Sequence, residues 1–165
     1  AHRFFEVYDM INSRSGQMVQ PDLVTYSTYI KGLCKFGQVD KALNIYYHLR
    51  KGKMYKLDEV LFNSLLHGLQ KAREFEKAIE IYQEMLDAGI VPSHVTYSIL
   101  IKVYTDQLKI EEALDLFEEV KKHTAPTMIL YTCVIQSCIK CKKLSKVTQL
   151  YREMRSYKIK GTSNK

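Results

Sequence analysis

At 165 residues the chain is long enough for one domain or a short array of small units, and 46% hydrophobic with 26% charged residues places it among folded rather than disordered sequences. No apolar run approaches the roughly 18–20 residues that cross a bilayer, and four cysteines (Cys34, Cys133, Cys138, Cys141) over this length read as thiols of a reducing compartment, not as a disulfide framework. A net charge of +7, from 25 Lys+Arg against 18 Asp+Glu, favours a polyanionic partner.

The chain opens at Ala1 on an apolar, helix-like phrase in which Ala1, Phe4, Phe5 and Tyr8 keep helical spacing, followed by a Ser/Gly-containing loop to Pro21 and Asp22. This reads as the tail of a preceding unit in a longer array. At Val24 begins VTYSTYIKGLCKFG, and the phrase returns as VLFNSLLHGLQKA at Val60, VTYSILIKVYTDQ at Val95 and ILYTCVIQSCIKC at Ile129. Its aromatics, Tyr26, Phe62, Tyr97 and Tyr131, are separated by steps of 36, 35 and 34. The same steps separate Ala42, Ala78, Ala113 and Val147, then Tyr46, Tyr82, Phe117 and Tyr151, then Leu49, Met85, Val120 and Met154. Independent landmarks sharing one drifting step establish an internal repeat.

Each unit reads as two helices. In the first, Tyr26, Tyr29, Ile30 and Leu33 form one apolar stripe, as do Phe62, Leu65, Leu66 and Leu69 in the next unit. The second helix repeats the stripe, for example as Ala78, Ile81, Tyr82 and Met85. Breaks fall at Phe36-Gly37-Gln38 within a unit, and at Gly89-Ile90-Val91-Pro92 and Ala125-Pro126 between units. One hairpin cannot bury enough apolar surface to offset the ordering of its own chain, so the units are expected to stack into an all-α solenoid. The expected divisions are a tail at 1–22, repeats at 23–58, 59–93, 94–127 and 128–162, and a tail at 163–165.

The helix types differ in charge. The first helices carry Lys31, Lys35, Lys71, Lys102 and Lys140 against a single acid, Asp106. Lys35, Lys71 and Lys140 each stand eight residues after the polar residue that follows the aromatic, while the third unit has Asp106 there. The acids of the second helices (Glu74, Glu76, Glu80, Glu84, then Glu111, Glu112, Asp115, Glu118, Glu119) read as solvated faces. A row of small polar residues, each beside an apolar residue and near a lysine, suits a single-stranded polyanion: polar tips for base edges, apolar groups for base faces, lysines for phosphates.

VTYSTYIKGLCKFGQVDKALNIY and KAIEIYQEMLDAGIVPSHVTYSILI resemble the pentatricopeptide repeat family, across essentially the whole chain. The related tetratricopeptide pattern fits less well, since no Trp occurs and its Leu-Gly pair is absent. The resemblance implies a right-handed α-solenoid that binds single-stranded RNA at about one base per repeat. In that family the residue after the aromatic, paired with the last residue of the repeat, selects the base, and the residue two before the aromatic packs on it. Carried across, the pairs are Ser27 with Asp58, Asn63 with Ser93, Ser98 with Thr127, and Thr132 with Thr162. The packing residues are Val24, Val60, Val95 and Ile129, with Lys35, Lys71 and Lys140 at the RNA backbone. Asp22 would close the preceding repeat. By the family's pairing rules Ser27/Asp58 implies G, and Asn63/Ser93 implies C in preference to U. The other two pairs end in Thr, where Asp, Asn or Ser is usual, so their base stays open within a purine reading.

Cys138-x-x-Cys141 lacks a second pair at ligand spacing, and Cys138 occupies an apolar landmark, so no metal or other cofactor is implied. No nucleophile–base arrangement or phosphate loop occurs, which argues against an enzyme within this segment; an appended catalytic domain would lie outside it. The resemblance implies an organellar protein, mitochondrial in preference to plastid, with RNA and ribonucleoprotein or other protein partners. The competing reading is an α-solenoid interaction scaffold, such as a mitochondrial ribosome-associated subunit, that keeps the fold without reading bases.

Overall fold

The computed structural model describes residues 22–52 and 55–162, with side chains as far as residue 156. The landmarks Ala1, Phe4, Phe5 and Tyr8 and the tail at 163–165 lie outside the described residues.

Helix α1 spans Leu23–Lys35 and starts where Asp22 Oδ1 accepts the backbone N–H of Thr25 at 2.8 Å. It is followed by α2 (Val39–Gly52), α3 (Glu59–Ala72), α4 (Phe75–Asp87), α5 (His94–Asp106), α6 (Ile110–His123), α7 (Met128–Lys140) and α8 (Leu144–Thr162). The caps of α3, α5 and α7 stand at the positions equivalent to Asp22. Asp58 accepts from Leu61 N–H at 2.9 Å, Ser93 from Val95 N–H at 3.1 Å, and Thr127 from Leu130 N–H at 3.3 Å. Each satisfies a donor that the first helical turn leaves unpaired, which is why Asp, Ser and Thr stand there. No strand occurs among the described residues, and the order is four successive α-hairpins.

Every hairpin turns on one left-handed residue: Gly37 (φ 74°), Arg73 (62°), Leu108 (61°) and Lys142 (59°), at the same 36, 35 and 34 steps. Around each of them a backbone N–H reaches back five residues: Gln38 to Leu33 O (2.9 Å), Glu74 to Leu69 O (3.0 Å), Lys109 to Tyr104 O (2.9 Å) and Lys143 to Cys138 O (2.8 Å). This helix-terminating motif prefers glycine because a side chain crowds the backbone at positive φ. Only the first unit supplies one.

The first helices form a continuous row, α1 against α3, α3 against α5, and α5 against α7. Among the described elements no backbone contact joins one second helix to the next. Consecutive units are therefore closer at their first helices, and the array curves with α1, α3, α5 and α7 on the inner side. A Cβ on Gly68 of α3 would stand 2.5 Å from Cys34 Sγ of α1, so this glycine sets how closely the first two units approach. Helix α5 is shared by two cores: Ile99 and Val103 pack with the units before it, Ile101 with those after. That is the nearest-neighbour packing of a solenoid.

Aromatic landmarks cross unit boundaries, with Tyr46 edge-on to Phe62 (5.6 Å between centroids) and Phe117 edge-on to Tyr131 (5.1 Å). Tyr151 at the equivalent second-helix position is 51% exposed, because no described helix follows α8 to cover it.

The expectation that the second-helix acids are solvated needs correction at Glu84. Its Oε2 accepts the Tyr46 hydroxyl and pairs with Arg50 Nη1, both at 2.5 Å, so it joins α4 to α2 of the preceding unit. Glu153, at the equivalent position two units further along, joins α8 to its neighbours, accepting from Tyr131 Oη of α7 at 2.9 Å and pairing with Lys121 of α6 at 2.5 Å. A periodicity argument sees only one helix at a time and assigns such positions to solvent.

Two predictions follow from these contacts. Leu108→Gly relieves a left-handed strain of about 1–2 kcal/mol against about 0.5–1 kcal/mol of added unfolded-chain entropy. It should raise stability by about 0.5–1 kcal/mol, read as an increased urea midpoint at unchanged slope. Burial first, and the Glu84 hydrogen bond second, push the Tyr46 phenol well above its ordinary value of 10.0, and burial holds Tyr82 at about 12. The folded state thus binds these protons more tightly than the unfolded one. Their stabilisation is complete below about pH 10 and is lost as pH rises beyond it. Tyr46→Phe should cost about 1 kcal/mol at neutral pH and flatten this alkaline decline, measured by urea unfolding between pH 8 and about 12.

Candidate nucleic-acid interface

The shared cap fixes the register of each first helix, and the candidate residues fall at matching places counted from it. Val24, Val60, Val95 and Ile129 all stand two residues after their cap and are 71, 61, 59 and 75% exposed. Four large apolar side chains recurring in the open at one register is unusual for a soluble helix, where such residues normally face the core. Three residues further along stand Ser27, Asn63, Ser98 and Thr132. The aromatics between them turn into the core, with Phe62 and Tyr131 fully enclosed.

The four polar residues have different surroundings. Ser27 is buried, and its hydroxyl has no hydrogen-bond partner among the described residues. Ser98 and Thr132 donate to carbonyls one turn back, His94 O at 2.7 Å and Met128 O at 2.8 Å, which leaves their oxygen lone pairs available. Asn63 is held by two neighbours: its Nδ2 donates to Glu59 Oε1 at 3.0 Å, and its Oδ1 accepts from Thr96 Oγ1 of the next unit at 2.8 Å. Thr96 also accepts the Ser93 backbone N–H at 3.2 Å, closing a capping box at the start of α5. Burial by itself would raise the Glu59 carboxyl, but hydrogen bonds from Ser93, Asn63 and Thr96 hold it below its ordinary value.

Of the expected pairs, Asn63 and Ser93 are thus brought together, through Glu59 and Thr96. Asp58 and Thr127 cap the helices that follow Ser27 and Ser98, at the inner edge of the array. Thr162 differs from these three: it is the last residue of α8, inside a helix and not at a cap, and its side chain lies outside the described residues.

One turn beyond each polar residue stand Lys31, His67, Lys102 and Gln136. Burial first, then the positive charges of Lys71 and Lys102, push His67 below its ordinary value. Between α5 and α7 the face forms a hollow of about 280 Å³ lined by Ser98, Lys102, Met128, Ile129, Thr132, Cys133 and Gln136. The hollow therefore joins one expected base-packing residue to two expected selecting residues.

Lys35 and Lys71 are exposed. Lys140 is engaged: its ammonium pairs with Asp106 Oδ1, while Asp106 Oδ2 accepts from Gln70 Nε2 at 2.6 Å. Asp106 therefore ties α3, α5 and α7 together at the far end of the row.

Glu59, Thr96, Lys102 and Gln136 escaped notice as site residues on sequence. Lys102 and Gln136 carried a legible signal, since they stand four residues, one helical turn, after Ser98 and Thr132. Glu59 and Thr96 carried none, because each acts across a unit boundary.

Comparison with known proteins agrees with this architecture. A model described as the PPR repeat family matches residues 57–106, and models of the PPR repeat match 17–46, 95–123 and 129–159. A chloroplastic pentatricopeptide repeat-containing protein of Arabidopsis thaliana is 31% identical over 81 residues, covering 48% of this chain and 10% of that protein. A second Arabidopsis pentatricopeptide repeat-containing protein is 32% identical over 72 residues, covering 43% of this chain and 16% of its own length. Among solved structures, the pentatricopeptide repeat protein PPR10 from maize superposes with a TM-score of 0.75 at 26% identity, over 94% of this chain and 22% of that one. PPR10 in complex with an 18-nt psaJ RNA element superposes with a TM-score of 0.79 at the same identity and coverage. The chain thus spans a minor part of the length of these relatives.

The bridge at Asp106 gives a test of its own. Burial raises its carboxyl, but hydrogen bonds from Lys140 and Gln70 outweigh burial and leave it below the ordinary 3.8. Its stabilisation is present at neutral pH and is lost as pH falls through the carboxylate range. Asp106→Asn should cost about 0.5–1 kcal/mol at pH 7 and little near pH 3, with Lys140 well exposed to solvent screening. Urea unfolding at the two pH values checks it.

Proposed function

The chain belongs to the pentatricopeptide repeat family, and on that premise we propose that its four repeats hold single-stranded RNA along α1, α3, α5 and α7 at about one base per repeat. The observation that carries this reading is the recurrence, at one helical register, of an exposed apolar residue followed three residues later by a polar one. Val24, Val60, Val95 and Ile129 supply faces on which bases stack, worth about 1–3 kcal/mol per base. Ser27 with Asp58 reads G. Asn63 with Ser93 reads C in preference to U. Ser98 with Thr127 and Thr132 with Thr162 take purines. Lys35 and Lys71 meet phosphates, while Lys140 does so only when it leaves Asp106.

The segment acts by binding, guiding or shielding a transcript, without chemistry of its own. An organellar setting is the reading supported by relatives named chloroplastic. The mitochondrial preference expected from sequence finds no support among them. The burial of Ser27 and the engagement of Lys140 favour the scaffold as a second reading, in which the fold serves protein partners.

Selection of randomised RNA by the natural protein that carries these repeats, at several salt concentrations, separates the two. RNA reading predicts G and C at the first two repeats and a salt slope of about −0.7 per phosphate contacted. Asn63→Thr with Ser93→Asn should change the base selected at the second position. An unchanged selected sequence refutes reading by this pair, and a flat salt response with no enriched motif supports the scaffold.

A further inference from the structure

The second repeat contains a device absent from the other three. The residue that follows the cap is Leu23, Glu59, His94 and Met128 in successive first helices, so only the second repeat places a carboxylate there. Glu59 sits between the two members of the selecting pair. Its Oε1 accepts from Asn63 Nδ2 at 3.0 Å and lies 3.2 Å from Thr96 Oγ1, the hydroxyl that accepts the Ser93 backbone N–H.

Because a carboxylate can only accept, the network dictates which end of the Asn63 amide faces it: the nitrogen. The Thr96 hydroxyl, already accepting from Ser93 N–H, donates to Asn63 Oδ1 on the other side. An amide flip would set Oδ1 against the Glu59 carboxylate, acceptor against acceptor. An asparagine that can flip offers its donor and acceptor in either order, and so serves the Watson–Crick edges of both pyrimidines. One that cannot flip offers them in a single order.

We propose that Glu59 is a specificity-determining positioning residue of the second repeat, locking the Asn63 amide and thereby sharpening the preference for cytosine over uracil that Asn63 and Ser93 carry. The inference rests on the base-reading role of Asn63 and Ser93 given above. The carboxylate acts in the same sense by its charge. Cytosine presents an amino donor at N4 where uracil presents the carbonyl acceptor O4. A fixed negative group beside the reading pair attracts the first and repels the second.

The test compares binding of the natural protein and its Glu59→Gln and Glu59→Ala variants to two RNAs that differ only by C or U opposite the second repeat. Glu59→Gln keeps shape and hydrogen-bonding capacity, but its own amide can turn with Asn63. Thermal unfolding confirms that each variant is folded. The expected result is a fall in the C:U affinity ratio of about tenfold, the scale set by one charge-assisted hydrogen bond. Preference for G opposite Ser27 and Asp58 should stay unchanged, which a merely structural role would not predict. A wild-type C preference that survives in both folded variants overturns the role of Glu59 while leaving the reading pair intact. No base preference in the wild type at this position overturns the reading pair, and the role of Glu59 with it.

Discussion

Close approach of consecutive first helices is the contact on which the remaining features depend. A two-helix unit of about 35 residues exposes an apolar face on each side, and burial against the neighbour is what makes it stable. Leu65, Leu66 and Leu69 of α3 are fully buried by such contacts. Gly68 gives way to Cys34, and Thr105 of α5 donates to Ser137 of α7 at 2.7 Å inside the same seam. Because the second helices make no comparable row, the stack curves and the first helices gather on its inner side. A set of residues separated by about 35 positions in sequence is thereby brought into one line.

The caps connect this architecture to the proposed chemistry. Asp22, Asp58, Ser93 and Thr127 are already accounted for by the need to satisfy the first turn of a helix, whatever else they do. An aspartate that caps with one carboxylate oxygen keeps a second one for another donor, whereas a threonine hydroxyl has less to spare. Repeats ending in Thr differ chemically from those ending in Asp for this reason. A cap also fixes the phase of its helix, so the exposed valines and the polar residues three places later point the same way in every unit.

Electrostatics divides between holding units together and shaping the inner face. Glu84 staples α4 to Tyr46 of the preceding unit, Glu153 links Tyr131 of its own hairpin to Lys121 of the preceding one, and Asp106 joins the first-helix row. Along its own helix Glu84 belongs to a solvated face and Asp106 is a gap in a lysine stripe. What distinguishes the three acids is a partner 32 to 38 positions away, a distance that depends on how hairpins stack. The same blindness applies to Glu59, whose contact to Thr96 exists only because α5 lies against α3. By contrast Cys138 was legible as core from its place in the apolar stripe, and it is fully buried.

Most of the fold was therefore written locally. The drifting step of 36, 35 and 34, the apolar stripes and the Gly and Pro breaks specify helices, hairpins and the need to stack, since these follow from helical period and from the shortage of burial within one unit. Even the turn residues obey the step, although Arg73, Leu108 and Lys142 hid it by lacking the glycine that marks a left-handed position. The candidate site was legible as a list of equivalent positions. Tertiary structure decided how those equivalents differ: Ser27 enclosed, Asn63 clamped, Ser98 and Thr132 beside an open hollow, and Lys140 tied to Asp106. Repetition along the chain makes positions alike, and only the neighbours each one meets across a unit boundary make them distinct.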